Sequence, residues 1–155
     1  MTIKFKFSAK SKEKLVGVHS DLVLVAETAL TYSEIDFSVL EGVRTLATQK
    51  KYFASGASHT MESRHLTGHA IDVGAYVGNT VRWDLGLYYE IAESCRSASL
   101  LHKIPIRWGA CWERIDDPHV PLQYLVATYV QRATAKGLRQ LIDGPHFELP
   151  KGFYP

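Results

Sequence analysis

The chain reads as an α+β protein: one compact domain with a small, mainly antiparallel sheet flanked by helices. Three observations carry that reading. A length of 155 residues with 46% hydrophobic content suits a single core that closes without disulfide or metal staples. Apolar residues recur at helical spacing in several long stretches. The strand-like segments between them are few, short and not in regular alternation with the helices, which argues against a doubly wound sheet.

The elements follow in order. Ser11 precedes a short predicted helix over residues 12–16. Residues 21–30 carry Leu22, Val25, Ala26 and Ala29 on one face, a helical pattern. Residues 37–43 roughly alternate and predict a strand. Thr45 is placed to cap a helix running to about residue 53. Residues 54–69 are polar and glycine-containing and predict a long loop, a length that in a compact domain is usually functional. A strand follows over 70–76, then a long helix from Asp84 to about 103, with Leu87, Ile91, Cys95 and Ala98 along one side. Residues 104–108 predict a short strand, 117–121 a loop, and 122–136 a helix ended by Gly137. After the turn Asp143-Gly144-Pro145, residues 146–149 predict a last short strand.

Charge is nearly balanced, with 18 Lys+Arg against 16 Asp+Glu, so composition gives no case for nucleic acid. Lys4, Lys6, Lys10, Lys12 and Lys14 cluster near the N-terminus; such a run is a solvated face or a weak attraction to an anionic polymer. Cys95 and Cys111 are the only cysteines, too few for a disulfide framework. No apolar run approaches a membrane span, and no secretory signal stands at the N-terminus. The expectation is synthesis in a cytoplasm without a leader and no stable membrane insertion.

Chemistry concentrates in two segments. Ser63-Arg64-His65-Leu66-Thr67-Gly68-His69-Ala70-Ile71-Asp72 sets a histidine and a carboxylate seven residues apart, and Asp143-Gly144-Pro145-His146-Phe147-Glu148 adds a second histidine with acidic neighbours. Gly68 lets the loop turn so that His65 folds back toward the face of the strand bearing Asp72. Ala70 shares that face and leaves room on it. Two histidines and one carboxylate hold a zinc ion and leave a fourth position open, the ligand count of a hydrolytic site. The Asp143 turn excludes a helical His-Glu-x-x-His motif and sets Asp143 beside His146, in position for a general base. Glu148 shares a strand face with His146 and is placed to orient its imidazole. A lone histidine is more often a hydrogen-bonded structural residue, and the case rests on the combination. His69 has helical ligand spacing from His65, but the glycine and the following strand exclude a helix there.

Ser63-x-His65-x-x-Gly68-x-Ala70-x-Asp72 matches every fixed position of the Ser-x-His-x-x-Gly-x-Ala-x-Asp signature, and Asp143-x-x-His146 matches the second motif, of the D-Ala-D-Ala metallopeptidases. The chain resembles that family along its whole length, and most closely its single-domain phage endolysins. The resemblance implies a hedgehog/D-Ala-D-Ala-peptidase-like fold, zinc held by His65, Asp72 and His146, and Asp143 as catalytic base. It implies Arg44 as the cation facing the scissile carbonyl, Ser63 as a contact to substrate or to the groups around the metal, and a structural role for Gln49; Trp112 is read as a substrate contact lining the cleft or as a buried aromatic. It implies an enzyme that cuts the L-alanyl-D-glutamate bond of the peptidoglycan stem peptide as a single zinc peptidase domain over 1–155, without a separate wall-binding domain. Such an enzyme acts as a monomer on murein in the periplasm after release by a separate holin. Alternatives of related chemistry are a D-alanyl-D-alanine carboxypeptidase and a non-catalytic zinc-containing wall-binding module. Trp108-Gly109-Ala110-Cys111-Trp112 departs from the family's Trp-Gly-Gly-Asp-Trp, and the missing carboxylate puts any role of that position in doubt. Cys111 itself is read as a ligand or nucleophile only at the expense of a set already complete.

Overall fold

The computed structural model describes residues 4–155. Five α-helices, α1 (Ala9–Lys14), α2 (Ser20–Tyr32), α3 (Leu46–Ser55), α4 (Leu85–His102) and α5 (Leu122–Ala135), surround six strands. The strands are β1 (Asp36–Glu41), β2 (Ala70–Val77), β3 (Thr80–Arg82), β4 (Arg107–Trp108), β5 (Glu113–Arg114) and β6 (His146–Glu148). They form one antiparallel sheet in the order β1-β2-β6-β4-β5, with β3 folded back on β2.

Alternation along the strands divides the sheet into two unlike faces. Phe37, Val39, Ile71, Val73, Ala75, Trp108 and Phe147 are buried on one side. The apolar stripes of α2 (Leu22, Val25, Ala29) and α4 (Tyr88, Ile91, Cys95, Ala98) join them in a single core. The other face carries Asp72, His146 and Glu148, with Arg107 and Arg114 in the same rows. A register shift between Val39 and Glu41 is a bulge in β1. By plain alternation Glu41 would follow Phe37 and Val39 into the core; the bulge instead makes it the cross-strand partner of Asp72.

The sequence-predicted elements are present, with shifts at their ends. The first helix begins earlier than residue 12, because Ser8 rather than Ser11 caps it: Ser8 Oγ accepts from Ser11 N at 3.2 Å. Ser11 is buried and accepts from Val39 N, tying α1 to β1. The strand expected over 37–43 ends at Glu41, just past the bulge. Thr45 caps α3 as expected. The predicted loop 54–69 is partly regular, since α3 runs to Ser55 and Arg64–Thr67 form a 3-10 turn. Strands β3 and β5 had no counterpart in the sequence reading. Asp84 starts α4 but its carboxylate pairs with Arg82 at 2.6 Å instead of capping. No described helix is long and apolar enough to cross a membrane.

Two glycines let the 3-10 turn pack against the N-terminal segment. Gly68 adopts φ +75°, and a Cβ there would overlap the carbonyl oxygen of Gly17. Gly42 packs its α-carbon against the carbonyl of Lys14, again with no space for a side chain. Gly68→Ala is therefore expected to lower unfolding stability by about 1–3 kcal/mol, read as a shift of the urea midpoint at unchanged slope. A wild-type midpoint would show that the turn relaxes freely.

Candidate metal centre and its cleft

The 3-10 turn brings His65 to the sheet. Ser63 Oγ accepts from His65 N at 3.2 Å and caps the turn; Gly68 ends it. The His65 ring is 2% exposed. Its Nδ1–H donates to the Gly42 carbonyl at 2.8 Å, which leaves Nε2 facing Asp72 Oδ1 at 3.2 Å. Asp72 is in turn the cross-strand partner of His146. His146 Nδ1 lies 3.1 Å from the same Asp72 oxygen, while its Nε2–H donates to Glu148 Oε1 at 2.8 Å.

His65, Asp72 and His146 each offer one ligand atom, and these atoms all lie within 4.8 Å of one another. Each neutral ring spends its N–H on an acceptor behind it and turns a lone pair toward a carboxylate. Lone pairs directed at a carboxylate repel it unless a proton or cation stands between them. The donor set, two imidazoles and one carboxylate with the outer ring nitrogens fixed by hydrogen bonds, fits a divalent metal of the zinc type.

The protonation balance of the metal-free protein agrees. Burial pushes the Asp72 carboxyl up, but the His146 and His65 rings against its Oδ1, where a proton shared with either ring favours the carboxylate, together outweigh it and hold the group well below the usual carboxylate range. Burial pushes His146 down, yet Asp72 and Glu148 on either side of the ring lift it to about 9. Burial raises Glu148 too, and His146 and Arg107 overcome that and hold it ionised. A proton on His146 thus does in part what a metal would do.

Asp143 sits on the turn before β6, which is pinned from several sides. Asp143 N donates to the Gly109 carbonyl at 3.0 Å, Gly109 N to the His146 carbonyl at 2.8 Å, and Trp108 Nε1 to the Gly144 carbonyl at 2.8 Å. Burial and then the Asp72 charge raise the Asp143 carboxyl; His146, His65 and Arg44 pull it partly back through space, and no hydrogen bond contributes. A carboxylate not tied up by donors and raised in pKa has the character of a proton acceptor.

Arg44 lies on the opposite wall and is 8% exposed. Glu41 binds its Nε, Gln49 Oε1 accepts from Nη1 at 2.7 Å, and its guanidinium stacks over Tyr52 at 4.7 Å. Its Nη2 stands 3.8 Å from Asp72 Oδ2. Gln49, fully buried, also donates to the Thr60 carbonyl and to Ser58, which couples Arg44 to the loop after α3. Trp112 adopts φ +53°, anchors Nε1 on the Leu141 carbonyl at 2.8 Å, and lays its ring 5.1 Å from that of His146.

All seven sequence-predicted site residues line one cleft of about 810 Å³. Ser63 reaches it beside Arg44, at 3.5 Å, while also capping the His65 turn. His69 points elsewhere, into a cluster with His19 and Tyr154. Cys111 is fully buried with its thiol toward the carbonyls of Trp108 and Glu113, and burial pushes that thiol up. Sequence reasoning missed Glu41, Tyr52 and Arg107. Glu41 enters through the bulge, and Arg107 through a pairing of β4 with β6 that no local pattern encodes.

Comparison with known proteins gives one consistent answer. The model of a family described as phage L-alanyl-D-glutamate peptidase matches residues 3–150. The L-alanyl-D-glutamate peptidase of Escherichia phage T5 is 33% identical over 151 residues, 95% of this chain and 99% of that protein. The L-alanyl-D-glutamate peptidase of Listeria phage A118 is 32% identical over 103 residues, 64% of this chain but 36% of the longer relative. Among solved structures, an L-Ala D-Glu endopeptidase of Serratia marcescens superposes with a TM-score of 0.77 at 38% identity, covering 98% of this chain and 95% of that one.

Glu148 is held by both His146 and Arg107, so its removal tests the outer support of the metal centre. Glu148→Ala is expected to weaken binding of a divalent metal at the candidate site by about 10- to 100-fold in chelator competition. Glu148→Gln should lose less, because the amide oxygen still accepts from Nε2–H. Unchanged affinity in both variants would reduce Glu148 to a counter-ion of Arg107.

Proposed function

The chain belongs to the phage L-alanyl-D-glutamate peptidase family, and on that footing we propose that it is a zinc-dependent endolysin that hydrolyses the L-alanyl-D-glutamate bond of the peptidoglycan stem peptide. The observation that carries the chemistry is the convergence of His65, Asp72 and His146 beside a carboxylate, Asp143, whose pKa is raised. A structural metal site has no need of such a group, whereas amide hydrolysis does.

Zinc held by His65 Nε2, Asp72 Oδ1 and His146 Nδ1 would supply Lewis acidity and bring the pKa of water toward about 7. Asp143 takes a proton from the water that attacks the L-alanine carbonyl carbon. As the C–N bond breaks, the same carboxyl returns a proton to the departing nitrogen of D-glutamate. Arg44 faces the negative charge that develops on the carbonyl oxygen. Glu41, Gln49 and Tyr52 hold its guanidinium in place beforehand, so little reorganisation is needed when that charge appears. Ser63 and Trp112 flank the reacting bond as substrate contacts. Their hydrogen bonds to the His65 turn and to Leu141 support a positioning role as well.

Chelation is expected to abolish lysis of permeabilised cells, and added zinc to restore it. Asp143→Asn should keep one equivalent of metal and lose about 10²–10⁴-fold in turnover. Arg44→Ala should lose about 10²–10³-fold in kcat. Mass spectrometry of digested murein should find stems with a new D-glutamate amino terminus; release of D-alanine alone would replace this assignment by a carboxypeptidase. Robust lysis by a His65→Ala, His146→Ala double variant would remove the metal mechanism altogether.

A further inference from the structure

The charged face of the sheet continues past the metal centre. Glu41, Asp72 and His146 form one cross-strand row over β1, β2 and β6. The next row runs Ala70, Glu148, Arg107 and Arg114 over β2, β6, β4 and β5. Neighbouring strands lie about 4.8 Å apart and alternate residues on a strand about 7 Å. Arg107 is therefore about one substrate residue away from His146, and Arg114 one strand beyond it.

Two arginines paired directly across strands repel each other and weaken the pairing. Local carboxylates offset that only in part. Glu148, 3.2 Å from Arg107, is shared with His146, and Asp116 holds two nitrogens of Arg114. Glu113 on the same wall is taken by Arg132 of α5, at 3.0 Å. Both arginines are braced by aromatic rings, Arg107 over Trp112 at 5.3 Å and Arg114 over Phe153 at 4.8 Å. Lys151, two residues before Phe153 and also lining the cleft, brings a third cation to the same end. The wall across the metal centre differs: Arg44 there is matched by Glu41, and Glu62 adds a negative charge.

The substrate proposed above has the same asymmetry. On the acyl side of the bond stands L-alanine, joined to a neutral lactyl amide. On the amine side stands D-glutamate, which continues the chain through one carboxyl and leaves the other free. We propose that Arg107, Arg114 and Lys151 form a carboxylate-binding subsite that takes the free carboxylate of the D-glutamate half. This fixes the direction of the stem peptide in the cleft, with the amine side over β4 and β5 and the acyl side toward Tyr52 and the loop after α3. The subsite rests on the bond assignment of the preceding section, and its test separates the two.

The probes are two synthetic product-like dipeptides, D-glutamate joined through its side-chain carboxyl to L-lysine, with the α-carboxyl either free or a primary amide. Both lack the scissile bond, so calorimetry on the zinc-loaded wild type reads binding alone. The free acid should bind about tenfold more tightly than the amide, the scale of one charge-assisted contact. The preference should shrink in Lys151→Gln and shrink further, to what Arg107 alone retains, in Lys151→Gln, Arg114→Gln, Asp116→Asn, where the partner of Arg114 is neutralised with it. The amide should bind all three proteins alike, which also reports that the variants are folded. Equal binding of acid and amide by the wild type, or a preference undiminished in the triple variant, overturns the subsite. L-Alanyl extension of the same dipeptides tests the bond separately. Acid preference without cleavage of the extended peptide keeps the subsite and removes the bond assignment; cleavage without acid preference does the reverse.

Discussion

Asp72 holds the site together. Its carboxylate is approached by both His65 and His146, stands near the Arg44 guanidinium, and belongs to the strand that joins β1 to β6. A carboxylate drawn partly out of water is costly unless cations or donors surround it. The sheet meets that demand by register. Glu41 and His146 are the direct cross-strand neighbours of Asp72, and a one-residue slip of either strand would turn those side chains into the apolar layer of α2 and α4. The register that buries Phe37, Ile71 and Phe147 therefore also assembles the candidate metal centre. Stability and chemistry are set by one alignment.

The same dependence explains which features were legible in the sequence. His65, Gly68, Ala70 and Asp72 are close in the chain, so a turn, a glycine and an alternating strand were enough to place them on one face. Asp143 and His146 were legible because a Gly-Pro turn fixes their relation. Long helices showed through their periodicity, and α2, α4 and α5 lie within a few residues of where their apolar stripes put them. Arg107 was not legible, because its meaning lies in a two-residue strand paired with a segment some forty positions away. Glu41 was hidden for a different reason: simple alternation assigns it to the core, and a bulge overrides that assignment. The β2–β3 hairpin was a missed signal of a local kind, since Gly78-Asn79 between Val77 and Thr80 is a two-residue hairpin turn.

The site divides its labour between rigid and looser parts. The candidate ligand atoms come from two paired strands and a turn whose His65 donates to Ser63 Oγ and the Gly42 carbonyl and accepts from Arg44 N. Asp143 rides on a turn pinned by Trp108 and Gly109, both of them part of the sheet's continuation. Arg44, by contrast, is coupled through Gln49 to the polar loop of Ser58 and Thr60, which packs little apolar surface. Movement of that loop would shift the guanidinium more readily than it would shift the ligands. Positioning of Arg44, the proposed oxyanion partner, is thus the part of the site most exposed to motion.

Charge on a half-buried sheet face is costly in a protein that gains nothing from it. Here five ionisable side chains, Asp72, His146, Glu148, Arg107 and Arg114, run across four strands within two rows. Toward the centre their partners are matched: His146 lies between two carboxylates, and Glu148 lies between His146 and Arg107. Toward β5 the matching is only partial: Arg107 faces Arg114 across the strands and shares Glu148 with His146, Asp116 holds Arg114, and Lys151 adds a further cation to the cleft. On the subsite proposed above, a gradient from acid to base along one face would orient an asymmetric, anionic peptide before any specific contact forms. In the proposed enzyme the metal centre would determine what chemistry is done, and the cations beyond it would determine which way round the peptide lies.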